Sequence, residues 1–366
     1  MSDEQKATSS LNNLVENCTL ALSVLADREE DLTTASFSTL RTDFLSILSI
    51  IYAATTKVAL SLKPSSPQHK ASLVPLKDLN NNVAALVHSI RLMRPKTGAT
   101  ILAEYENIAL GVTSAIKSLA QTLLDGDIPE ATTEGYLLRT GEVHELIDNV
   151  RKPNGLSLDN RDAVRRSWQQ GHDSLEDAYQ EIQDICKPTY GESEGGKVDE
   201  DFDDGWDELG LGPDQKLSPE ELDRAEKVSP LVQTMIKLVN LLHKRIIKDF
   251  LSSRSNPLDD HSLDKLAILS TRLLAGSDEV ISSMYAPQHL PSIKTSLATF
   301  WETTKDLRVT ILPDTDPNLT EQLEKLSISE NDAKIRKWLN ACFDQIDKTA
   351  AKIIDTLHGE DEGHPP

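Results

Sequence analysis

Residues that could hold a zinc ion occur close together at one place in the chain. His144, Glu145 and Asp148 follow the start of the HExxH zinc helix, but Asp148 stands where that motif has its second histidine. Zinc needs further protein ligands to complete its tetrahedral shell, and none lies nearby in the sequence. We therefore interpret this segment as a solvated helix face.

A second run of residues resembles the calcium loop of an EF-hand. From Asp199 to Asp203 an acid stands at every second position, as that loop requires. Asp204, however, separates this run from Gly205, and Gly210 occupies the twelfth position, where the loop has a glutamate. We expect no calcium site here.

Other patterns that would indicate catalysis are missing from the sequence. The chain has no GxxxxGK[ST], GxGxxG or GxSxG motif, and its nine histidines are scattered without a cysteine at ligand spacing. The sequence thus predicts no metal, no cofactor and no catalytic residue. An interaction protein is the favoured class, and an enzyme is not expected.

An acidic run from Glu192 to Glu208 is the most distinctive segment. Nine carboxylates face a single lysine, Lys197, which leaves eight net negative charges. Such a run repels itself and buries too little apolar surface to fold alone, so we expect a disordered linker.

Two aromatic residues, Phe202 and Trp206, lie within this acidic run. Acidic residues interleaved with aromatic ones are typical of short segments that fold onto a basic, grooved partner. A solvating linker that Trp206 attaches to a bundle explains the same pattern equally well. The candidate partner-binding residues are Asp201, Phe202, Asp203, Asp204, Trp206, Asp207 and Glu208.

Net charge narrows the classes of partner. The formal charge of the chain is −21, which would repel nucleic acid and anionic membrane surfaces, so we expect neither as a direct partner. Basic proteins are favoured instead. The three cysteines are far apart, no run of about eighteen apolar residues occurs, and the polar N-terminus lacks a secretion signal. These features predict a protein of a reducing compartment that does not span a membrane.

Apolar residues recur at steps of three and four along most of the chain. This spacing predicts an all-α protein with about eleven helical segments and no strand. The expected segments are 10–26, 36–62, 76–93, 99–124, 136–150, 160–186, 217–251, 263–284, 292–309, 319–326 and 331–357.

Capping residues, prolines and hydrophobic periodicity refine this prediction. Ser218, Pro219 and Glu221 form a good helix start. Pro230 is expected to divide or bend the helix that follows. The last helix carries a near-heptad seam that includes Leu339 and Cys342, and it could pack within its own bundle or against a foreign helix.

These segments predict two antiparallel helical bundles joined by the acidic disordered linker. We place an N-terminal bundle at 1–187, the flexible linker at 188–216, a C-terminal bundle at 217–358 and a disordered tail at 359–366.

Several segments resemble a known family. Ile281 to Pro287 closes one helix, and His289 leads into the next, as in the C-terminal part of the cyclin-D-binding protein family, also called Grap- and cyclin-D-interacting protein. Asn160 to Val164, the acidic mid-chain linker and the closing helix around Trp338 to Ala341 are also similar to that family. The N-terminal helices match it poorly, and Ala286-Pro287 stands where the family has a proline pair.

The resemblance implies a two-lobed helical protein with bundles akin to those of vinculin and talin. It also implies a negative regulator that binds D-type cyclins and helix-loop-helix transcription factors in cytoplasm and nucleus. No Lys/Arg cluster precedes a helix here, in agreement with the family's helix-loop-helix segment without a basic region.

Our interpretation is a non-enzymatic adaptor that regulates cell-cycle progression and transcription by docking through helix surfaces. Its candidate contacts are the acidic run and exposed faces of the C-terminal helices. One alternative is an acidic chaperone or shield for a highly basic client, such as a ribosomal protein or histone. A second alternative, a cytoskeletal linker, rests on analogy of architecture alone.

Overall fold

The protein is helical throughout the residues that its computed structural model describes, which are 1–125, 135–185, 217–252, 258–312 and 330–361. Those ranges contain ten α-helices and no β-strand. The all-α prediction is confirmed. The acidic run and the short helix expected at 319–326 lie outside the described residues.

Two compact units make up the chain, Met1–Ala163 and Val164–Pro366. In the first unit, α1 packs against α3 and α4, while α2 packs against α3 and α5. Its helices are α1 (Asp3–Ala26), α2 (Phe37–Ser61), α3 (His69–Met93), α4 (Ala99–Leu124) and α5 (Gly135–Arg151). One apolar core joins all five of them.

The second unit has its own core, in which α10 packs against α7 and α9, and α8 packs against α9. Its helices are α6 (Asn160–Ile185), α7 (Pro219–Ile246), α8 (Asp260–Ser282), α9 (Leu290–Ile311) and α10 (Glu330–Asp361). A π-helical turn, Ile247–Leu251, continues α7.

The division between the two compact units falls inside α6, between Ala163 and Val164. Trp168, which is fully buried, donates a hydrogen bond from Nε1 to the Leu266 carbonyl of α8 at 3.0 Å. Asn240 of α7 donates to Glu176 of α6 at 2.6 Å. These bonds tie α6 to the second core.

Asn160, the first residue of α6, lies within the first unit and caps the start of α4. Asn160 Oδ1 accepts a hydrogen bond at 3.0 Å from the amide of Ile101 in the first turn of α4, one of the amides that has no partner within the helix. Asn160 approaches so closely that a Cβ on Gly98 would lie 1.9 Å from its Nδ2. Glycine at position 98 therefore makes this cap possible.

Helix α2 is, by length and composition alone, apolar enough to cross a bilayer, and it is the one such helix among the described residues. Nine of its residues are buried in the bundle, including Phe44, Leu48 and Ile51. Its hydroxyl groups at Thr42 and Ser46 donate to carbonyls four residues earlier. The structure thus uses α2 as a core helix.

Several boundaries differ from the prediction for local reasons. Helix α1 begins at Asp3 because Ser2 and Gln5 form a capping box. Helix α3 begins at His69 and contains Pro75. Helix α7 contains Pro230 without interruption, so of the two expected effects the division is wrong and the bend stays a prediction. The predicted helix start at Ser218 is confirmed by its capping box with Glu221. Helix α10 reaches Asp361, inside the segment expected as a tail.

Candidate protein-binding surface

The acidic segment favoured by the sequence lies outside the described ranges. Its seven candidate residues, Asp201, Phe202, Asp203, Asp204, Trp206, Asp207 and Glu208, lie outside the described residues, as does the calcium-like run. They stay a prediction. The second kind of contact expected from the sequence, exposed faces of the C-terminal helices, lies largely within the described residues.

The zinc-like segment lies on α5, where its residues point to different neighbours. His144 is partly buried and stacks on Tyr52 of α2, with ring centroids 4.0 Å apart. Glu145 and Asp148 are exposed. The expected solvated face was therefore wrong for His144, which helps to join two helices. Within the described ranges no three His, Cys, Asp or Glu residues cluster as a metal site would need.

The near-heptad seam of α10 is used inside the second unit. Its seven residues are all buried in the core: Ile335, Leu339, Cys342, Ile346, Ala350, Ile353 and Leu357. A foreign helix could reach them only if the bundle opened. A binding surface on α10 must therefore use residues beside this seam.

Trp338 is such a residue of α10, and Leu241 is an exposed residue of the neighbouring helix α7. Trp338 is 36% exposed and Leu241 is 42% exposed. The guanidinium carbon of Arg245 lies 5.5 Å from the centre of the Trp338 ring. Cys342 Sγ lies 3.7 Å from the Leu238 carbonyl. Since Leu238 precedes Arg245 on α7, whereas Cys342 follows Trp338 on α10, the two helices run antiparallel along this face. We call Leu241, Arg245 and Trp338 the α7–α10 face.

Charge around Arg245 is balanced locally. Arg245 forms an ion pair with Asp249, one turn further along. The cation therefore lies between a carboxylate and an indole ring, which fixes its orientation without removing it from the surface. Tryptophan and arginine are the residues that contribute most often to binding energy at protein interfaces.

Two family models match the chain. The model described as Grap2 and cyclin-D-interacting, N-terminal, matches residues 43–187, and its C-terminal counterpart matches residues 202–309. The chain belongs to the Grap2 and cyclin-D-interacting family. No curated protein matches it.

This is a family of interaction proteins, and nothing found in the comparison indicates catalysis. The C-terminal match of the Grap2 and cyclin-D-interacting family includes Leu241 and Arg245, and it ends before α10. Trp338 therefore lies beyond the matched range. Sequence analysis pointed to the helix around Trp338, but its contact with Arg245 of α7 became visible only with α7 packed against α10.

The two described thiols are unsuited to nucleophilic chemistry in this family member. Cys18 and Cys342 are both free and buried. Burial raises the pKa of Cys18 to about 12 and that of Cys342 to about 11, which leaves both protonated at neutral pH. Both residues pack in the cores.

A buried imidazole lies at the centre of the second unit. His243 is 1% exposed, and its Nε2 is 3.4 Å from Ser270 Oγ on α8. Burial first, and the neighbouring His172 second, lower the pKa of His243 to about 3. Because the ring is enclosed and neutral, we assign it to packing and not to binding.

Proposed function

We propose that this protein is a non-enzymatic adaptor that binds a D-type cyclin and, by occupying it, restrains cell-cycle progression. Helix-loop-helix transcription factors are the second class of regulatory partner. The protein would act in both cytoplasm and nucleus. Family membership supports the choice of partner, because the matching description is cyclin-D-interacting.

The observation that carries the mechanism is the α7–α10 face. A partly exposed tryptophan of α10 lies against an arginine of α7, and an exposed leucine stands one turn before that arginine on the same helix. Helices that pack against a fixed core change shape little on binding, so such a face needs little reorganisation to meet a partner helix.

Charge supports fast encounter with a basic surface of the partner. The net charge of −21 creates a long-range field, and the run from Glu192 to Glu208 concentrates eight net negative charges in one segment. Such fields raise association rates, and salt weakens them. In this proposal the acidic run steers the partner, while the α7–α10 face contributes most of the binding energy.

The acidic run itself favours one alternative, a shield for a highly basic client. With nine carboxylates and one lysine, the run has a charge opposite to that of a histone or a basic ribosomal protein. In that case the helical units would be a scaffold. Binding would then depend on the run alone and would fall steeply with salt.

A single binding experiment separates these two functions. The full chain and a version lacking Glu192 to Glu208 are each titrated with a purified D-type cyclin and with a histone, at low and at high salt. The adaptor proposal expects cyclin binding by both versions, retained at high salt. Histone binding that vanishes with the deletion, together with no cyclin binding, would replace the adaptor with the shield.

A further inference from the structure

The first unit carries a groove whose charge is opposite to that of the chain as a whole. It lies between the first half of α2 and the end of α5, and it has a volume of about 230 Å³. Apolar side chains line it, among them Leu45 of α2 and Leu156 of the loop after α5. Pockets for small-molecule ligands usually have about 300–1,000 Å³. The groove is therefore suited to a side chain of a protein segment.

Three cations surround this apolar floor: Arg41, Arg151 and Lys152. Arg41 Nε is buried and has no hydrogen-bond partner among the described residues. Lys152 Nζ donates at 2.7 Å to the neutral side chain of Asn149. Of the three, Arg151 has a described carboxylate partner, Asp148, at 3.4 Å. The groove thus keeps a positive excess in a chain of charge −21.

Neighbouring rings fix the position of Arg151. Its guanidinium carbon lies 4.6 Å from the centre of the Tyr52 ring, and Tyr52 stacks on His144 at 4.0 Å. His144 Nε2 in turn lies 3.1 Å from Thr56 Oγ1. This series of contacts joins α2 to α5. A cation held over an aromatic face keeps its charge and its donors, so Arg151 is oriented for a further carboxylate.

We propose that this groove is a docking site for an acidic segment of a partner protein, in which Asp or Glu residues flank one large apolar side chain. The apolar side chain would contact Leu45, and the flanking carboxylates would accept hydrogen bonds from Arg41 and Lys152. Charge complementarity selects this occupant, because a carboxylate adds Coulombic attraction to the hydrogen bond from a guanidinium, whereas a neutral acceptor adds none. The groove would give the protein a second interface, independent of the α7–α10 face.

Fluorescence anisotropy with a defined probe tests this assignment. The probe is a short fluorescein-labelled peptide pool in which Asp and Glu at random flank a central Phe, and it is titrated with the full chain. We expect saturable binding that weakens with added NaCl. Replacing the central Phe by Ser is expected to weaken the binding as well, because the apolar floor then loses its contact.

Three variants localise the binding. Arg41→Gln and Ser49→Glu, which puts a negative charge at an exposed position in the groove, are each expected to weaken it about tenfold, the loss typical of one charge-assisted hydrogen bond. Lys77→Gln removes the same charge from an exposed position on α3 that does not line the groove, and it should leave binding unchanged. Thermal unfolding followed by circular dichroism confirms that each variant folds.

Three results would overturn the proposal. The first is no saturable binding by the folded wild-type chain, and the second is binding that Arg41→Gln and Ser49→Glu both leave intact. The third is binding that appears only after Glu192 to Glu208 is deleted. That outcome would indicate that the chain's own acidic run, and not a partner protein, occupies the groove.

Discussion

The indole of Trp168 lies stacked on the imidazole of His243, with ring centroids 4.3 Å apart and planes inclined by 26°. Trp168 belongs to α6 and His243 to α7, while the Trp168 indole bonds to the carbonyl of Leu266 on α8. Three helices of the second unit therefore meet at one aromatic pair. The pair is held uncharged, because an imidazolium at the buried His243 would lose its hydration.

This neutral histidine makes the second unit sensitive to acid. The pKa of His243 is lowered from 6.5 to about 3. Between these two pH values the imidazole is therefore protonated in the unfolded chain and neutral in the folded chain. The stabilisation is complete above pH 6.5 and is lost as pH falls from 6.5 toward 3. One such proton lowers the free energy of unfolding by about 1.4 kcal/mol per pH unit.

We expect His243→Phe to remove this part of the acid sensitivity while keeping a ring against Trp168. Guanidinium unfolding at pH 7.5 and pH 4.5, followed by tryptophan fluorescence, measures the change, since Met1–Ala163 contains no tryptophan and does not contribute to this signal. His289→Gln, at an exposed position, is the matched control. Between pH 7.5 and pH 4.5 its free energy of unfolding should fall by as much as that of wild type. Equal losses in His243→Phe and wild type would contradict the assignment.

In the first unit, Arg94 holds the end of α1. Its guanidinium donates to the carbonyls of Leu25 at 2.7 Å and Glu29 at 2.6 Å, and its Nε bonds to Glu106 at 2.9 Å. The Arg94 side chain is 3% exposed. Arg94→Ala would leave these two carbonyls without their donor, while the partly exposed Glu106 can be solvated, so the free energy of unfolding should fall by about 2–3 kcal/mol.

The nearby Arg91 provides the control for this prediction. Its side chain is 28% exposed and pairs with Asp31 at 2.9 Å. Arg91→Ala should cost about 0–1 kcal/mol, as is usual for ion pairs near the surface. Circular dichroism is the appropriate signal, because the first unit has no tryptophan. Similar losses in the two variants would show that Arg94 does not act as a buried tie.

Glu221 connects the start of α7 to the loop before α9. It completes the capping box with Ser218 and accepts a hydrogen bond at 2.6 Å from the amide of Gln288. The amide of Ser218 first, and that of Gln288 second, lower the pKa of Glu221 below 4.5. A carboxyl group whose pKa is lower in the folded chain stabilises the fold at any pH above its pKa in the unfolded chain. This stabilisation is lost as the pH falls through the pKa of the folded chain.

Glu221→Gln is therefore expected to be less stable than wild type at neutral pH, with a difference that shrinks below pH 4.5. Denaturant midpoints measured across this range by tryptophan fluorescence check it. Glu226→Gln, at an exposed position on the same helix, should match wild type throughout. A deficit of Glu221→Gln that stays constant down to pH 3 would rule out the ionised carboxylate as its cause.

Much of this fold could be predicted from residue spacing. Periodic apolar positions identified every described helix, and Ser218 with Glu221 marked the start of α7 correctly. The partner of each helix could not be read in the same way. An amphipathic face such as that of α6 shows that a helix packs, but not which core receives it. Pro230 does not divide α7, because tertiary packing of the helix outweighs one lost backbone bond.

The candidate surfaces were harder to predict than the helices. About ninety residues of chain separate Arg245 from Trp338, and only the packing of α7 against α10 brings these two side chains together. Arg41 of α2 and Lys152, the residue after α5, likewise line one groove only because helices of the first unit pack together. Sequence analysis favoured the acidic run because its charges are contiguous, whereas a surface assembled from several helices leaves no local signal.

The affinity of a purified D-type cyclin for the Trp338→Ala variant tests the central claim most directly. Isothermal titration calorimetry would compare wild type, Trp338→Ala and Ile268→Ala, the last removing a 54% exposed apolar side chain from α8. If the α7–α10 face binds the cyclin, Trp338→Ala should weaken binding about thirtyfold or more, as interface tryptophans do, and Ile268→Ala should not. A folded Trp338→Ala variant that binds the cyclin as tightly as wild type would contradict the account.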